Sequence, residues 1–113
     1  MIASSTVTAD KNPSYSTSPG NNTTDKVFLL SITEANKYFS SDSARQCSAT
    51  AYAKAQGAYT ATSNGNCRWW LRSPGRYSSD AACVNGDGSV ISVGYGVSSS
   101  GGAVRPAMWI NLK

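Results

Sequence analysis

The segment WWLRSPG, residues 69–75, decides the fold of this chain. Its aromatic and apolar residues are typical of a strand, and Pro74-Gly75 is a turn signal that ends it. Adjacent strand residues point to opposite faces of a sheet, so Trp69 and Trp70 cannot share one ligand platform. We expect at least one of them, and preferably both, in the core, with the indole N–H bonded to a backbone acceptor.

Further strands are predicted after residue 75. Residues 80–84 have the alternating pattern of one short strand, and residues 89–93 form the next strand, which runs antiparallel to it. Between them, Asn85-Gly86-Asp87-Gly88 is a strong hairpin signal because Asn-Gly and Asp-Gly tolerate positive φ. A calcium loop is the alternative, but the further acidic ligands and the closing Glu that it requires are missing. A Gly/Ser loop at 94–102 then leads to a closing strand at 103–112.

Between residues 25 and 66 the sequence predicts one strand and two short helices, joined by polar loops. Residues 27–30 form an apolar strand, after which Ser31 or Thr33 can cap a helix. A polar loop at 40–48 precedes a second short helix at 49–58. The order predicts an α+β fold: two short helices, then a small antiparallel sheet, with early and late strands pairing so that the termini lie close together.

Residues 1–24 are rich in Ser, Thr, Asn and Pro. This composition predicts an arm or linker, with one short strand at 5–9, ahead of a folded domain at 25–113. No apolar run approaches the roughly 20 residues that span a bilayer, and no signal peptide follows Met1. We therefore expect no membrane insertion, and we expect the chain to belong to a longer protein that carries the export signal.

Composition argues against several functional classes. Only 14% of residues are charged, against about 25% in average proteins. The net charge is +4, but the 10 basic residues are scattered, so a nucleic-acid partner is not expected. His is absent, which removes the commonest general base and metal ligand. We expect no catalytic residue, no metal and no cofactor.

The 3 cysteines do not form a CxxC pair, so a zinc knuckle is not expected. A bridge between Cys47 and Cys67 would suit an exported protein, and two buried free thiols are an equal alternative. Cys83 is the one candidate nucleophile in the late part of the chain, and the sequence holds no His to activate it.

Four separated motifs, occurring in order, resemble one family. Residues 69–75 match its WWLRSPG motif, and AVRPAMWINL at 103–112 matches its GVRPALWINL ending with two replacements. Upstream, DKVFLLS at 25–31 and AYAKAQGA at 51–58 also match. The chain resembles bacterial and phage domains of the formylglycine-generating-enzyme-like branch of the C-type lectin fold, which are common in gut bacteria and include variable proteins diversified by retroelements.

The resemblance implies a C-type-lectin-like fold and a C-terminal segment rewritten by adenine-directed mutagenesis. Mutating both adenines of an Asn AAC or AAT codon cannot produce Lys, Glu, Gln, Met or Trp, and residues 76–103 contain none of these. The enzyme branch needs paired redox cysteines just before the closing strand. This chain has SSSGG at 98–102 instead, so the oxidase activity is not expected.

The predicted contact residues alternate with predicted structural positions at residues 81, 82, 84, 90, 94 and 97. They are Arg76, Tyr77, Ser78, Asp80, Cys83, Asn85, Ser89, Ile91, Val93, Tyr95 and Ser98. Exposed Tyr, Ser, Gly and Asn make a good recognition surface. Arg72 and Arg105 could bind an anion, but a structural role holding loop carbonyls or a carboxylate such as Asp87 is favoured.

The sequence therefore predicts a non-catalytic display module that binds a protein or carbohydrate ligand through residues 76–103. On this interpretation it acts on a cell surface or phage particle, and its oligomeric state stays open. The alternative is a structural or assembly domain of a phage or bacterial surface protein without a specific ligand.

Overall fold

A three-stranded antiparallel sheet, in the order β5-β6-β7, organises the computed structural model, which describes residues 1–112. In chain order the strands are β1 (Ile2–Ala3), β2 (Ser5–Val7), β3 (Thr23–Asp25), β4 (Val27–Phe28), β5 (Trp69–Pro74), β6 (Asp80–Val84), β7 (Val90–Gly96) and β8 (Ala107–Ile110). The helices are α1 (Ile32–Tyr38), α2 (Asp42–Arg45) and α3 (Ala51–Ala55). The predicted α+β class is confirmed.

The core lies against one face of this sheet, which we call the inner face. Trp69, Leu71 and Ser73 of β5 are at most 1% exposed and pack with buried residues of β6 and α1. The Trp69 indole N–H donates to the Arg45 carbonyl at 3.1 Å. The core role of Trp69 is therefore confirmed. Trp70 lies on the opposite, outer face and is only half-buried, so the expectation that both tryptophans are core is wrong.

A second sheet brings the two ends of the chain together. Strand β8 lies between β1 and β4 and pairs antiparallel with both, as in the registers Ala3 to Trp109 and Phe28 to Ala107. The Asn111 N–H donates to the Met1 carbonyl at 2.8 Å. The prediction that early and late strands pair, with adjacent termini, is confirmed.

The helices differ in detail from the prediction. Helix α1 begins after Ser31, whose hydroxyl accepts from the Glu34 N–H while the Glu34 side chain accepts from the Ser31 N–H. The predicted polar loop at 40–48 contains the extra helix α2, which Ser41 caps because its hydroxyl accepts from the Ala44 N–H. Helix α3 is shorter than the predicted 49–58, and its N-cap is Thr50.

Residues 1–24 pack on the domain instead of forming a separate arm. Strand β2 pairs with β3, and Val7 is buried. Asn12 is 3% exposed, and its side-chain amide donates to the carbonyls of Pro74 at 2.9 Å and Ser92 at 2.7 Å. Amide and hydroxyl groups in this segment thus satisfy loop carbonyls, a role that its polar composition does not reveal.

The predicted hairpin turn between β6 and β7 is confirmed. The Asn85 N–H donates to the Ser89 carbonyl at 2.9 Å, and Gly88 has a φ of 86°. The turn is wedged against α2, where the Arg45 Nε donates to the Gly88 carbonyl at 2.8 Å. A Cβ at position 88 would lie 1.7 Å from the Asp42 carbonyl oxygen.

This contact predicts that Gly88→Ala is much more destabilising than Gly57→Ala. Gly57 has a similar φ of 95°, but nothing lies within 4 Å of a Cβ built there. The left-handed backbone alone should therefore cost Gly57→Ala about 1–2 kcal/mol. Gly88→Ala must also displace backbone, and we expect a loss of about 3 kcal/mol or more. Equal losses in urea unfolding would contradict the packing of the hairpin on α2.

Candidate binding face

The outer face of the β5-β6-β7 sheet begins with three cross-strand neighbours. Trp70 pairs with Cys83, which in turn pairs with Ile91. Cys83 is 0% exposed even though it lies on the outer face, so other side chains cover it. Burial raises the pKa of the Cys83 thiol to about 11, and the nearby charge of Arg68 lowers it only in part. The predicted role of Cys83 as a ligand contact is wrong, because the thiol is inaccessible.

An arginine between two tyrosines extends over this face. The guanidinium carbon of Arg68 lies 4.1 Å from the ring centroid of Tyr95 and 5.3 Å from that of Tyr59. Both rings remain partly exposed, at 37% for Tyr95 and 47% for Tyr59. The Arg68 Nε is buried and has no hydrogen-bond partner among residues 1–112. We refer to Tyr59, Arg68 and Tyr95 as the arginine–tyrosine cluster.

A second cation–aromatic pair stands on the loop between β5 and β6. The Arg76 guanidinium carbon lies 5.2 Å from the ring centroid of Tyr77, which is 60% exposed. The backbone of this loop is held to the sheet, since the Arg76 N–H donates to the Val93 carbonyl at 2.9 Å. The Val97 N–H likewise donates to the Ser79 carbonyl at 2.9 Å. Exposed side chains are thus displayed on a hydrogen-bonded backbone.

The structure divides the predicted contact residues into an exposed group, a half-buried group and the buried Cys83. Those that are exposed are Arg76, Tyr77, Ser78, Val93, Tyr95 and Ser98. Those that are half-buried are Asp80, Asn85, Ser89 and Ile91. Asn85 and Ser89 lie in the hairpin turn, at the opposite end of β6 and β7 from the exposed group.

One predicted structural position belongs to the exposed group. Val97 is 63% exposed, because β7 ends at Gly96 and strand alternation no longer applies beyond it. We define the display face as the arginine–tyrosine cluster together with Arg76, Tyr77, Val93, Val97 and Ser98.

Tyr59 and Arg68 were missed because they precede the segment 76–103. A signal for Arg68 does exist in the sequence: it directly precedes Trp69, so alternation predicts it on the outer face once Trp69 is assigned to the core. Tyr59 follows α3 in a loop, and its position depends on a tertiary contact. The Tyr59 N–H donates to the Gly101 carbonyl at 2.9 Å, which brings the two loops together.

Arg72 and Arg105 have structural roles, the interpretation that the sequence favoured over anion binding. Arg72 donates to the carbonyls of Thr8 at 3.0 Å and Leu29 at 2.8 Å and forms ion pairs with Glu34 and Asp10. Burial by itself raises the pKa of Asp10, but hydrogen bonds from Thr8 and Ser31 and the charge of Arg72 outweigh it, so the pKa is lowered.

Arg105 lies over the rings of Trp69, at 4.9 Å, and Phe39, at 5.0 Å. Asp87, the carboxylate suggested as an arginine partner, instead accepts from the hydroxyl and N–H of Ser89. These hydrogen bonds lower the pKa of Asp87. Neither Arg72 nor Arg105 therefore belongs to the display face.

Cys47 and Cys67 line a cleft of about 390 Å³ between α3 and the segment 100–105. They lie opposite each other, and the Cys67 N–H donates to the Cys47 carbonyl at 2.8 Å. Both are free thiols in this structure. Burial and the neighbouring Cys47 raise the pKa of Cys67. Among residues 1–112, no three His, Cys, Asp or Glu side chains converge as a metal-ligand set.

The geometry defines a small α+β domain that carries exposed aromatic and cationic side chains on a buried sheet. The chain belongs to a family described as a domain of unknown function (DUF6273), whose model matches residues 1–112. Neither a curated protein nor a solved structure matches the chain. No helix in the described part of the chain is long and apolar enough to cross a membrane.

The buried Cys83 thiol predicts a specific dependence of stability on pH. Above about pH 9 the thiol of the unfolded chain loses its proton, while the folded chain keeps it until about pH 11. The unfolded state then binds fewer protons, so the free energy of unfolding falls as pH rises between these values. We expect a loss of about 3 kcal/mol from this group.

Cys83→Ala is the matched variant, because alanine does not titrate. Its cavity lowers stability at all pH values, but the specific loss between pH 9 and 11 should disappear. Urea unfolding of both proteins across this range measures the difference in slope. Parallel curves would contradict the burial of the thiol.

The position of Cys47 opposite Cys67 predicts that a thiol oxidant links them. Residues that are hydrogen-bonded across antiparallel strands have Cα atoms about 5.5 Å apart, which a disulfide can span. Oxidised glutathione should therefore form this bridge and stabilise the domain by about 3 kcal/mol. Mass spectrometry identifies the linked peptides, and Cys47→Ser is the control. A bridge that involves Cys83, or none at all, would contradict this arrangement.

Proposed function

We propose that this chain is a non-catalytic ligand-binding module with a C-type-lectin-like fold, whose display face recognises a protein or glycan partner. The observation that carries the proposal is the arginine–tyrosine cluster: an arginine whose guanidinium has no hydrogen-bond partner among residues 1–112 lies between two partly exposed tyrosines. This arrangement is not expected on a solvent-exposed surface that binds no partner.

A rigid support lies beneath the display face. The inner-face side chains of β5 are buried. One edge of β5 pairs with β6, and the other edge is hydrogen-bonded to two further segments. The Trp70 N–H donates to the Ala103 carbonyl at 3.0 Å, and the Arg72 N–H donates to the Leu30 carbonyl at 2.9 Å. Binding costs less when contact groups are held in place beforehand, so this support favours recognition.

The chemistry of the display face suits recognition. Tyr59, Tyr77 and Tyr95 offer rigid contact area with little side-chain entropy to lose. Tyrosine and arginine are also enriched among the residues that dominate binding energy at protein interfaces. Val93 is 41% exposed, which is unfavourable in water and favourable in an interface.

Diversification by a retroelement is part of the proposal. Six of the predicted variable residues are exposed, so they can change without loss of the core. In the encoding genome, we expect a reverse-transcriptase gene and a template copy that differs from the codons for residues 76–103 only at adenines. A genome with neither feature would contradict this origin but not the binding function.

The thiols support a function other than catalysis. A nucleophilic cysteine needs a lowered pKa and an accessible sulfur. Cys83 is wholly buried, and the pKa values of both Cys83 and Cys67 are raised. With no His in the sequence, general-base activation would require an unusual partner.

A structural or assembly role remains the second candidate, and a separate surface favours it. One face of the sheet of β1, β8 and β4 exposes a set of large apolar side chains, which are Ile2, Val27, Met108 and Ile110. Such a patch is typical of a contact with another protein domain. If this role is the main one, substitutions in this patch should abolish function while changes on the display face have no effect.

Randomising the display face tests the proposed function directly. A phage library varied at residues 76, 77, 93, 95, 97 and 98 should stay mostly folded and yield binders to an unrelated protein such as hen lysozyme. A matched library varied at the buried residues 71, 82 and 84 should lose protease resistance, because each change alters the core. The proposal fails if the display-face library unfolds as often, or yields no more lysozyme binders than the parent chain.

A further inference from the structure

The geometry points to Arg68 as the receptor for a carboxylate group presented by an acidic protein partner. This inference rests on the proposed function and deepens it by naming the chemistry of the ligand. The residues involved are the arginine–tyrosine cluster, of which neither Tyr59 nor Arg68 belongs to the segment 76–103.

Hydrogen-bonding capacity is the first argument. A guanidinium has five N–H donors, and none of those of Arg68 has a hydrogen-bond partner among residues 1–112. Arg45 and Arg72, by contrast, donate to backbone carbonyls and pair with the carboxylates of Asp42 and Glu34. The terminal amino groups of Arg68 therefore keep unpaired N–H donors that a ligand can use, and a hydrogen bond to a charged group contributes more than one between neutral groups.

Orientation is the second argument. The rings of Tyr59 and Tyr95, at 5.3 and 4.1 Å, hold the guanidinium in place through cation–π contacts. Because Nε is buried, the edge formed by the two terminal amino groups is the one left for a ligand. A planar carboxylate matches this edge with two parallel hydrogen bonds, which a hydroxyl or a single amide cannot form.

Charge is the third argument. No carboxylate of the described residues forms an ion pair with Arg68, and its neighbour Cys83 stays neutral near pH 7 because its pKa is about 11. Arg76 adds a second exposed cation to the display face. The chain as a whole carries a net charge of +4, which attracts acidic partners.

The shape of the face favours a protein as the source of the carboxylate. Small molecules bind mainly in concave pockets. The three cavities described among residues 1–112 are lined by other residues, and the arginine–tyrosine cluster borders none of them. A broad surface with aromatic anchors and an arginine is the arrangement found at protein interfaces.

Two probes that differ only in the acidic group test the inference. We would titrate the chain with N-acetylglutamate amide and with N-acetylglutamine amide while following the Arg68 Nε–H resonance by NMR. Poly-L-glutamate would measure affinity, and polygalacturonate would represent an acidic glycan. The variants are Arg68→Met, Arg68→Lys and, as the control for loss of one exposed charge outside the display face, Lys54→Met, with melting temperatures confirming that each is folded.

We expect the Arg68 resonance to shift saturably with the glutamate derivative only. Arg68→Met should weaken poly-L-glutamate binding about tenfold, Arg68→Lys by less, and Lys54→Met about twofold at most. Equal losses in Arg68→Met and Lys54→Met would overturn the inference, because binding would then be diffuse electrostatic attraction. Tighter Arg68-dependent binding of polygalacturonate would replace the protein partner by an acidic glycan.

Failure of this inference can be distinguished from failure of the proposed function. If the display-face library yields lysozyme binders but the Arg68 resonance does not shift with any carboxylate, the binding function is supported and the carboxylate assignment is wrong. If Arg68→Met is unfolded, Arg68→Lys decides the matter, since it retains the charge and loses the paired donors.

Discussion

Burial of Trp69 is the constraint on which the rest of the structure depends. Its indole fills the core beside α1 and the edge of the Phe39 ring, whose centroid is 6.3 Å away, and its N–H is satisfied by the Arg45 carbonyl. Once Trp69 faces inward, alternation forces Arg68 and Trp70 outward. The same side chain therefore determines both the packing of the core and the residues that are available for recognition.

Close backbone approaches couple this core to the outer face. Gly102 lies against Trp70 so closely that a Cβ there would be 2.2 Å from the indole Nε1. Since Ala103 then pairs with β5, the loop before the closing strand is held against the face from which Tyr95 and Arg68 project. Side chains on the display face can thus change, while the backbone beneath them is held by close contacts, such as that of Gly102 with Trp70, that do not tolerate substitution.

Local patterns predicted the elements better than they predicted the site. The strands around WWLRSPG and the Asn85-Gly86-Asp87-Gly88 turn follow from local propensity, and both are present. Residues 1–24 and Cys83 were misassigned because their environments depend on distant segments. Asn12 is hydrogen-bonded to carbonyls 62 and 80 residues away, and Cys83 is 0% exposed although it lies on the outer face. Arg68 directly precedes WWLRSPG and lies outside the segment 76–103, so the pattern of variable positions does not include it.

The central claim is that a rigid strand β5 supports a recognition surface, and native-state hydrogen exchange tests it most directly. The amides of Trp70 and Arg72, which are bonded to Ala103 and Leu30, should exchange only by global unfolding, at rates that follow denaturant stability. The Ser78 amide, in the loop that carries Tyr77, should exchange much faster. If the β5 amides exchange as quickly as that loop, the support is not rigid and the account is wrong.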